Sequence, residues 1–206
     1  LLLNITGKEV SPQPVWQLNA YYLLAIYSIA ELCGLKQEEI LVGLSKLKAA
    51  NGRFETYRLK NGATAIIDYA HTPDGLMNII NCVKGFAKGK VITLFGCGGD
   101  RDNTKRPIMG EIAGNLSDFS IITSDNPRTE NPEAIIAEIE AGMKKTQGDY
   151  ITITDRRKAI GYALDNAKAD DVIILAGKGQ ETYQIIGKEK FDFDERLEVY
   201  KHLKNR

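Results

Sequence analysis

The sequence predicts an α/β fold, a Rossmann-like, mostly parallel open sheet with helices on both faces, preceded by a helical segment. Three observations carry this. From residue 54 onward short β-rich runs recur, each followed by a loop and a stretch with apolar residues at helical spacing, which is the alternation of parallel strands with crossover helices. The loops between them are rich in Gly, Pro, Asn and Asp. The first fifty residues instead hold two helix-period stretches punctuated by Gly34.

Each element follows in chain order. Val15–Leu32, with Leu24 and Tyr27, and Gln37–Lys48, with Ile40, Leu41, Leu44 and Leu47, read as a helical hairpin. The pattern changes after Ala49-Ala50-Asn51-Gly52, so the expected units are 1–50 and 51–206. Phe54–Leu59 is expected to pair with Ala65–Tyr69 through Lys60-Asn61-Gly62, because Asn-Gly favours a tight hairpin turn. Further strands are expected at Val91–Phe95, Phe119–Thr123, Tyr150–Ile153 and Val172–Ala176. The expected helices are Asp74–Ala87, Pro107–Leu116, Pro132–Lys145, Arg156–Ala167 and Asp194–Leu203. Pro107 and Pro132 open theirs, where a missing N–H costs no hydrogen bond.

Composition narrows the function. The 206 residues carry 27 Lys+Arg and 27 Asp+Glu, so no surplus of positive charge exists to neutralise a nucleic-acid backbone. The longest apolar run, near Tyr21–Ala30, is interrupted by Ser28 and closed by Glu31, short of the roughly 20 residues a membrane span needs. Cys33, Cys82 and Cys97 are scattered and odd in number, which predicts a reducing, cytoplasmic setting rather than a disulfide framework or a zinc site. The start Leu1-Leu2-Leu3-Asn4 has neither an initiator Met nor a signal pattern, as expected of part of a longer chain.

In an open α/β sheet ligands bind outside the carboxyl ends of the strands. Here those loops read Asp68-Tyr69-Ala70-His71-Thr72-Pro73-Asp74, Gly96-Cys97-Gly98-Gly99-Asp100-Arg101-Asp102, Ser124-Asp125-Asn126-Pro127-Arg128-Thr129-Glu130 and Gly177-Lys178-Gly179-Gln180-Glu181-Thr182. Charged and hydrogen-bonding residues at four strand ends are expected to converge on one crevice. Gly96-Cys97-Gly98 and Gly177-Lys178-Gly179 each lack the third glycine of a dinucleotide fingerprint and read as tight turns, which disfavours an oxidoreductase. Arg128 and Arg101 offer guanidinium forks for carboxylates, and Glu181 offers a charge for an ammonium, a set suited to a zwitterionic amino acid. His71 reads equally as a loop histidine or a ligand contact, and His202 as a solvated surface residue. No G-x-x-x-x-G-K-[ST] motif occurs in these residues, so a triphosphate is expected to be held from outside them.

The ordered set Gly52-Arg53-Phe54-Glu55, Asp68 to Asp74, Gly96 to Asp102, Lys105-Arg106-Pro107, Asp125-Asn126-Pro127-Arg128 and Gly177 to Glu181 resembles the Mur ligases, and within them the diaminopimelate-adding branch. The resemblance implies that residues 1–50 end a central ATP-binding domain and that 51–206 form the Rossmann-like C-terminal domain. It implies an ADP-forming ligase of peptidoglycan synthesis, in which ATP with Mg2+ activates the D-glutamate carboxylate of a UDP-N-acetylmuramoyl dipeptide as an acyl phosphate. The amine of meso-diaminopimelate then displaces phosphate. ATP and Mg2+ are expected to be held mainly by the central domain, leaving this fragment inactive alone. Carried over by motif, Arg101, Asp125, Asn126, Arg128, Gly177 and Glu181 are expected to bind meso-diaminopimelate, while Arg53, Asp68 and His71 face the nucleotide. Asp125-Asn126-Pro127-Arg128 favours diaminopimelate over lysine, since only the former has a distal carboxylate. Asn19-Ala20-Tyr21-Tyr22 departs from the family's Asn-x-x-Asn, with Tyr22 in place of the second Asn, so no ATP contact is assigned there. The alternatives are a lysine-adding ligase, a folylpolyglutamate or cyanophycin type on the same scaffold, and a non-catalytic binding module.

Overall fold

The computed structural model describes the backbone of residues 3–5, 8–10, 17–47 and 50–204. The chain falls into two compact units, Leu1–Ala50 and Asn51–Arg206.

In the first unit, β1 (Leu3–Ile5) and β2 (Lys8–Val10) form a small antiparallel pair, which helical periodicity alone did not foretell. α1 (Gln17–Leu32) and α2 (Gln37–Ser45) form the expected helical pair. The expected outer ends, Val15–Trp16 and Lys48, lie outside the described residues, as does the lead-in Ser11–Trp16. Leu23, Tyr27, Ile40 and Leu44 make the contact between the helices, so the buried stripe runs through Leu23 while Leu24 is exposed. Glu38 and Glu39 sit in the first turn of α2, where negative charge complements the helix dipole.

The second unit is built on one six-stranded sheet. Its elements are β3 (Glu55–Arg58), β4 (Thr64–Asp68), α3 (Pro73–Lys84), β5 (Val91–Phe95), α4 (Lys105–Leu116), β6 (Phe119–Ile122), α5 (Pro132–Met143), β7 (Tyr150–Thr152), α6 (Arg156–Asn166) and β8 (Val172–Ala176). A separate hairpin of β9 (Tyr183–Ile186) and β10 (Glu189–Asp192) follows, and α7 (Glu195–Lys204) ends it. The spatial order is β3-β4-β8-β5-β6-β7, parallel throughout except for the β3–β4 pair. The chain steps outward from β4 through β5 and β6 to β7, then returns to insert β8 between β4 and β5. That reversal puts α6 and α7 on one face, over Ala65, Ile67, Leu94 and Leu175, while α3, α4 and α5 pack side by side on the other. β5 and β8 are buried along their whole length, as their continuous apolar sequences require.

Several boundaries differ from expectation for local reasons. α3 begins at Pro73, with the Thr72 hydroxyl accepting the Gly75 N–H as its cap, and stops at Gly85. α4 begins two residues before Pro107. The Lys60-Asn61-Gly62 turn is present, stabilised by the Asn61 side chain, which accepts from the Ala63 N–H and donates to the Ala167 carbonyl. Cys33, Cys82 and Cys97 are all free, and burial pushes the Cys97 thiol up to about 12. Among the described residues no helix is long and apolar enough to cross a membrane.

Candidate active site

Because β8 lies between β4 and β5, with β6 alongside, the loops leaving these four strands emerge as neighbours. The structure brings the expected residues together there, in two groups.

The first group ties the Asp125–Arg128 loop to the loop after β8. Its centre is Lys178, whose side chain is 0% exposed. Lys178 Nζ donates to Asn126 Oδ1 (3.0 Å), Glu181 Oε2 (3.2 Å) and the Tyr183 carbonyl (2.8 Å), and lies 3.1 Å from Asp125 Oδ1. The Asp125 approach is off the hydrogen-bonding direction, so it is an ionic contact and Oδ1 has no hydrogen-bond donor of its own. Asn126 Nδ2 completes the ring by donating to Glu181 Oε2 at 3.0 Å. The expectation that Glu181 awaits an ammonium is thus modified. One of its oxygens is occupied within the protein, and the two carboxylates Asp125 and Glu181 together exceed Lys178 by a single negative charge. Gly177, at φ +115°, donates its N–H to the Asp68 carbonyl and joins this group to the end of β4.

Arg128 and Arg101 border the group. Both reach the space beside Gly98, where a β-carbon would lie 2.9 Å from Arg128 Nη1 and 3.9 Å from Arg101 Cγ. Arg128 Nη1 donates to the Gly99 carbonyl at 2.7 Å, and among the described residues its Nε and Nη2 have no partner. Arg101 is exposed and likewise makes no side-chain hydrogen bond or ion pair among them.

The second group lies at the end of β4. Arg53 stacks its guanidinium 4.9 Å above the Tyr69 ring, and the His71 ring packs edgewise on Tyr69 with centroids 4.6 Å apart. Asp68 is turned inward. Its carboxylate accepts from the N–H groups of Phe54 (2.9 Å) and Ala70 (2.8 Å), and burial pushes its pKa up against those bonds and the charge of Arg53. His71 is exposed, with Nδ1 2.8 Å from the Tyr69 carbonyl. Lys105 Nζ donates to the His71 carbonyl at 2.7 Å, linking this group to α4.

Two buried arginines, Arg106 of the Lys105-Arg106-Pro107 motif and Arg156, hold the loops from beneath. Arg106 donates to Glu130, Glu138 and the Gly98 carbonyl, clamping the loops after β5 and β6. Arg156 Nη2 donates to the Ala176 carbonyl at 2.8 Å, and Arg156 pairs with Glu195 at 2.8 Å with both side chains fully buried. Burial pushes Glu195 above the ordinary carboxylate range despite that pairing. His202 is a correction: it sits 3.4 Å from Asp165 with its side chain largely covered, rather than free in solvent. Tyr22 is 63% exposed on α1, and the side chain of Asn19 lies outside the described residues. An open cavity of about 460 Å³ lies at the opposite end of the sheet, among Lys90, Ile92, Phe119, Tyr162 and Lys168, and shares no residue with the strand-end loops.

Residues 52–179 match the family described as Mur ligase, glutamate ligase domain. Over 196 residues the chain is 50% identical to the UDP-N-acetylmuramoyl-L-alanyl-D-glutamate–2,6-diaminopimelate ligase of Caldanaerobacter subterraneus subsp. tengcongensis, covering 95% of this chain and 40% of that protein. The enzyme of the same name from Clostridioides difficile is 49% identical with the same coverage. A solved structure of a ligase of this name superposes with TM-score 0.75 at 35% identity, covering 96% of this chain and 40% of that one. The chain therefore spans about 40% of the length of the relatives it matches.

Proposed function

The chain belongs to the Mur ligase family through its glutamate ligase domain, and on that premise we propose that it is the carboxy-terminal part of an ATP-dependent, ADP-forming ligase adding meso-diaminopimelate to UDP-N-acetylmuramoyl-L-alanyl-D-glutamate in peptidoglycan synthesis. The relatives' names support the reaction. The carrying observation is the Lys178 network, which joins the Asp125–Arg128 and Gly177–Glu181 loops into one rigid surface bordered by two guanidiniums.

That surface matches a diamino diacid. The single uncompensated negative charge of Asp125 and Glu181 attracts an ammonium. Arg128, with Nη1 anchored on Gly99, presents its Nε–Nη2 edge, which can fork the distal carboxylate with two parallel hydrogen bonds. Arg101 meets the same substrate from the neighbouring loop. Holding the amine in place converts its attack on the activated carboxylate into an effectively unimolecular step.

ATP, when bound, supplies the phosphoryl group that makes the acceptor carboxylate electrophilic. An exposed guanidinium stacked on a tyrosine ring and followed by a histidine ring fits an anionic nucleotide, so Arg53, Tyr69 and His71 are assigned to that side, with Asp68 shaping the loop beneath. Among the described residues no cluster of three His, Cys, Asp or Glu side chains can hold a metal ion, and none is assigned to Mg2+. The proposed use of ATP and of a nucleotide-linked substrate supports a cytoplasmic setting.

The deciding experiment is Arg128→Ala in the full-length enzyme. The expected loss with meso-diaminopimelate is about 2–5 kcal/mol in kcat/KM, because a carboxylate loses its charge-assisted partner. Lysine lacks that carboxylate, so its poor use changes far less and the preference narrows. Equal proportional losses for both substrates would instead mark Arg128 as a loop-folding residue.

A further inference from the structure

We propose that the β9–β10 hairpin is a specificity-determining frame for Arg128, with Gln184 and Gly187 as positioning residues that fix the backbone from which the guanidinium reaches a substrate carboxylate. This rests on the assignment of the Asp125–Arg128 loop to the diamino acid.

The hairpin runs along that loop and grips it at four points, three from β9 and one from the turn residue Gly187. Gln184 Nε2 donates to the Asp125 carbonyl (2.6 Å), and the Ile185 N–H donates to Asn126 Oδ1 (2.9 Å). The Arg128 N–H donates to the Ile185 carbonyl (3.1 Å), and the Gly187 N–H donates to the Arg128 carbonyl (2.7 Å). The last two form a parallel bridge between Arg128 and Ile186. Only Pro127, which has no N–H to offer, escapes the hairpin's grip.

Arg128 needs this support because its φ is +52°, in the left-handed region that non-glycine residues avoid. A residue persists there only where its surroundings over-determine it. Relaxation to a right-handed φ would redirect Cβ and withdraw the guanidinium from Gly99, so the side chain's aim depends on the two backbone bonds to the hairpin. The hairpin in turn has little support of its own. All four β10 residues are exposed, and an isolated two-stranded hairpin is marginal in water. Loop and hairpin therefore order each other, and Gly187, at φ +62° in the two-residue turn Gly187-Lys188, supplies both the turn and one of the bonds.

The test uses the full-length enzyme with Gln184→Met, which removes one donor, Gly187→Pro, which removes another and cannot adopt a positive φ, and Arg128→Ala alone and combined with each. Gln184→Met is expected to raise KM for meso-diaminopimelate about tenfold, the equivalent of one hydrogen bond, with KM for ATP and for the UDP-linked dipeptide within about twofold. Its preference over lysine narrows, Gly187→Pro acts more strongly in the same direction, and Gln184→Lys, which keeps a donor, recovers part of the loss. In the Arg128→Ala background neither hairpin variant lowers diaminopimelate use further. If Arg128→Ala narrows the preference while Gln184→Met and Gly187→Pro lower only thermal stability, the frame is wrong and the Arg128 assignment stands. An unchanged preference in Arg128→Ala overturns the assignment and the frame together. Should Gly187→Pro not fold, Gln184→Met and Gln184→Lys decide alone.

Discussion

Lys178 shows how much of the loop arrangement is set by one buried side chain. It is fully buried and meets two carboxylates, an amide and a carbonyl, so removing it strands partners rather than merely deleting a contact. Lys178→Met is expected to destabilise the protein by about 3–5 kcal/mol, the usual cost of breaking a buried pair from one side. In thermal unfolding that is a fall of very roughly 10 °C for a domain of this size, with Lys178→Arg between the two. Its middle place in Gly177-Lys178-Gly179 reads as a turn, since lysine is ordinarily exposed and nothing local reports that Asp125 waits on a neighbouring loop to join Glu181 of its own. The same reason hid the burial of Arg156 and of Arg106, which the sequence shows only as part of the Lys105-Arg106-Pro107 motif. The residues that were legible, such as Arg128 and Asp125, stand in loops whose composition already departs from that of a plain turn. A second prediction concerns acid. Glu130 is held below the ordinary carboxylate range, first by hydrogen bonds from Arg106 and then by the Asp100 N–H. A depressed folded-state pKa contributes stability above the unfolded value of 4.5, and that contribution is lost as pH falls through the folded value. Unfolding measured across acid pH is expected to show a flatter loss for Glu130→Gln than for the unaltered protein below about pH 4.5.

Among the elements, the clearest lesson is the contact of α4 with α5, where backbone meets backbone. A β-carbon on Gly142 would lie 1.8 Å from the Pro107 carbonyl oxygen, whereas one on Gly161 in α6 would meet nothing within 4 Å. Gly142→Ala is therefore expected to cost about 1–3 kcal/mol or more by forcing the helices apart. Gly161→Ala is expected to stabilise by up to about 1 kcal/mol through helix propensity. Denaturant unfolding of the two variants reads opposite shifts in midpoint. Both glycines look alike in the sequence, each inside a helical period, because tertiary approach leaves no local mark. Strands β5 and β8 were legible to the residue, since Val91–Phe95 and Val172–Ala176 are apolar runs bounded by polar turns. The β9–β10 hairpin was not. Ile185 and Ile186 are adjacent and break the alternation, and β10 buries nothing that would impose one. The remaining cue was Gly187-Lys188 between two short runs, the first position of a tight hairpin turn.

For the whole molecule, the topology explains why four separated loops share one place: β8 returns to the gap between β4 and β5, and the candidate site lies where strand order reverses. All the residues assigned to substrate and nucleotide therefore belong to the second unit, Asn51–Arg206. The first unit has a different physical character. Its described core is Leu23, Tyr27, Ile40 and Leu44, while Ile29 is 61% and Leu32 88% exposed. With only these four side chains forming a core among its described residues, residues 1–50 expressed alone are expected to show no cooperative thermal transition, whereas residues 51–206 alone unfold in a single one. The exposed apolar side chains of α1 and α2 add a second readout, because a hydrophobic dye binds such surface. The 206-residue chain is expected to enhance the dye's fluorescence, and residues 51–206 to enhance it far less. Equal fluorescence from both, or a cooperative transition in residues 1–50, would show that the helical pair forms a finished core by itself.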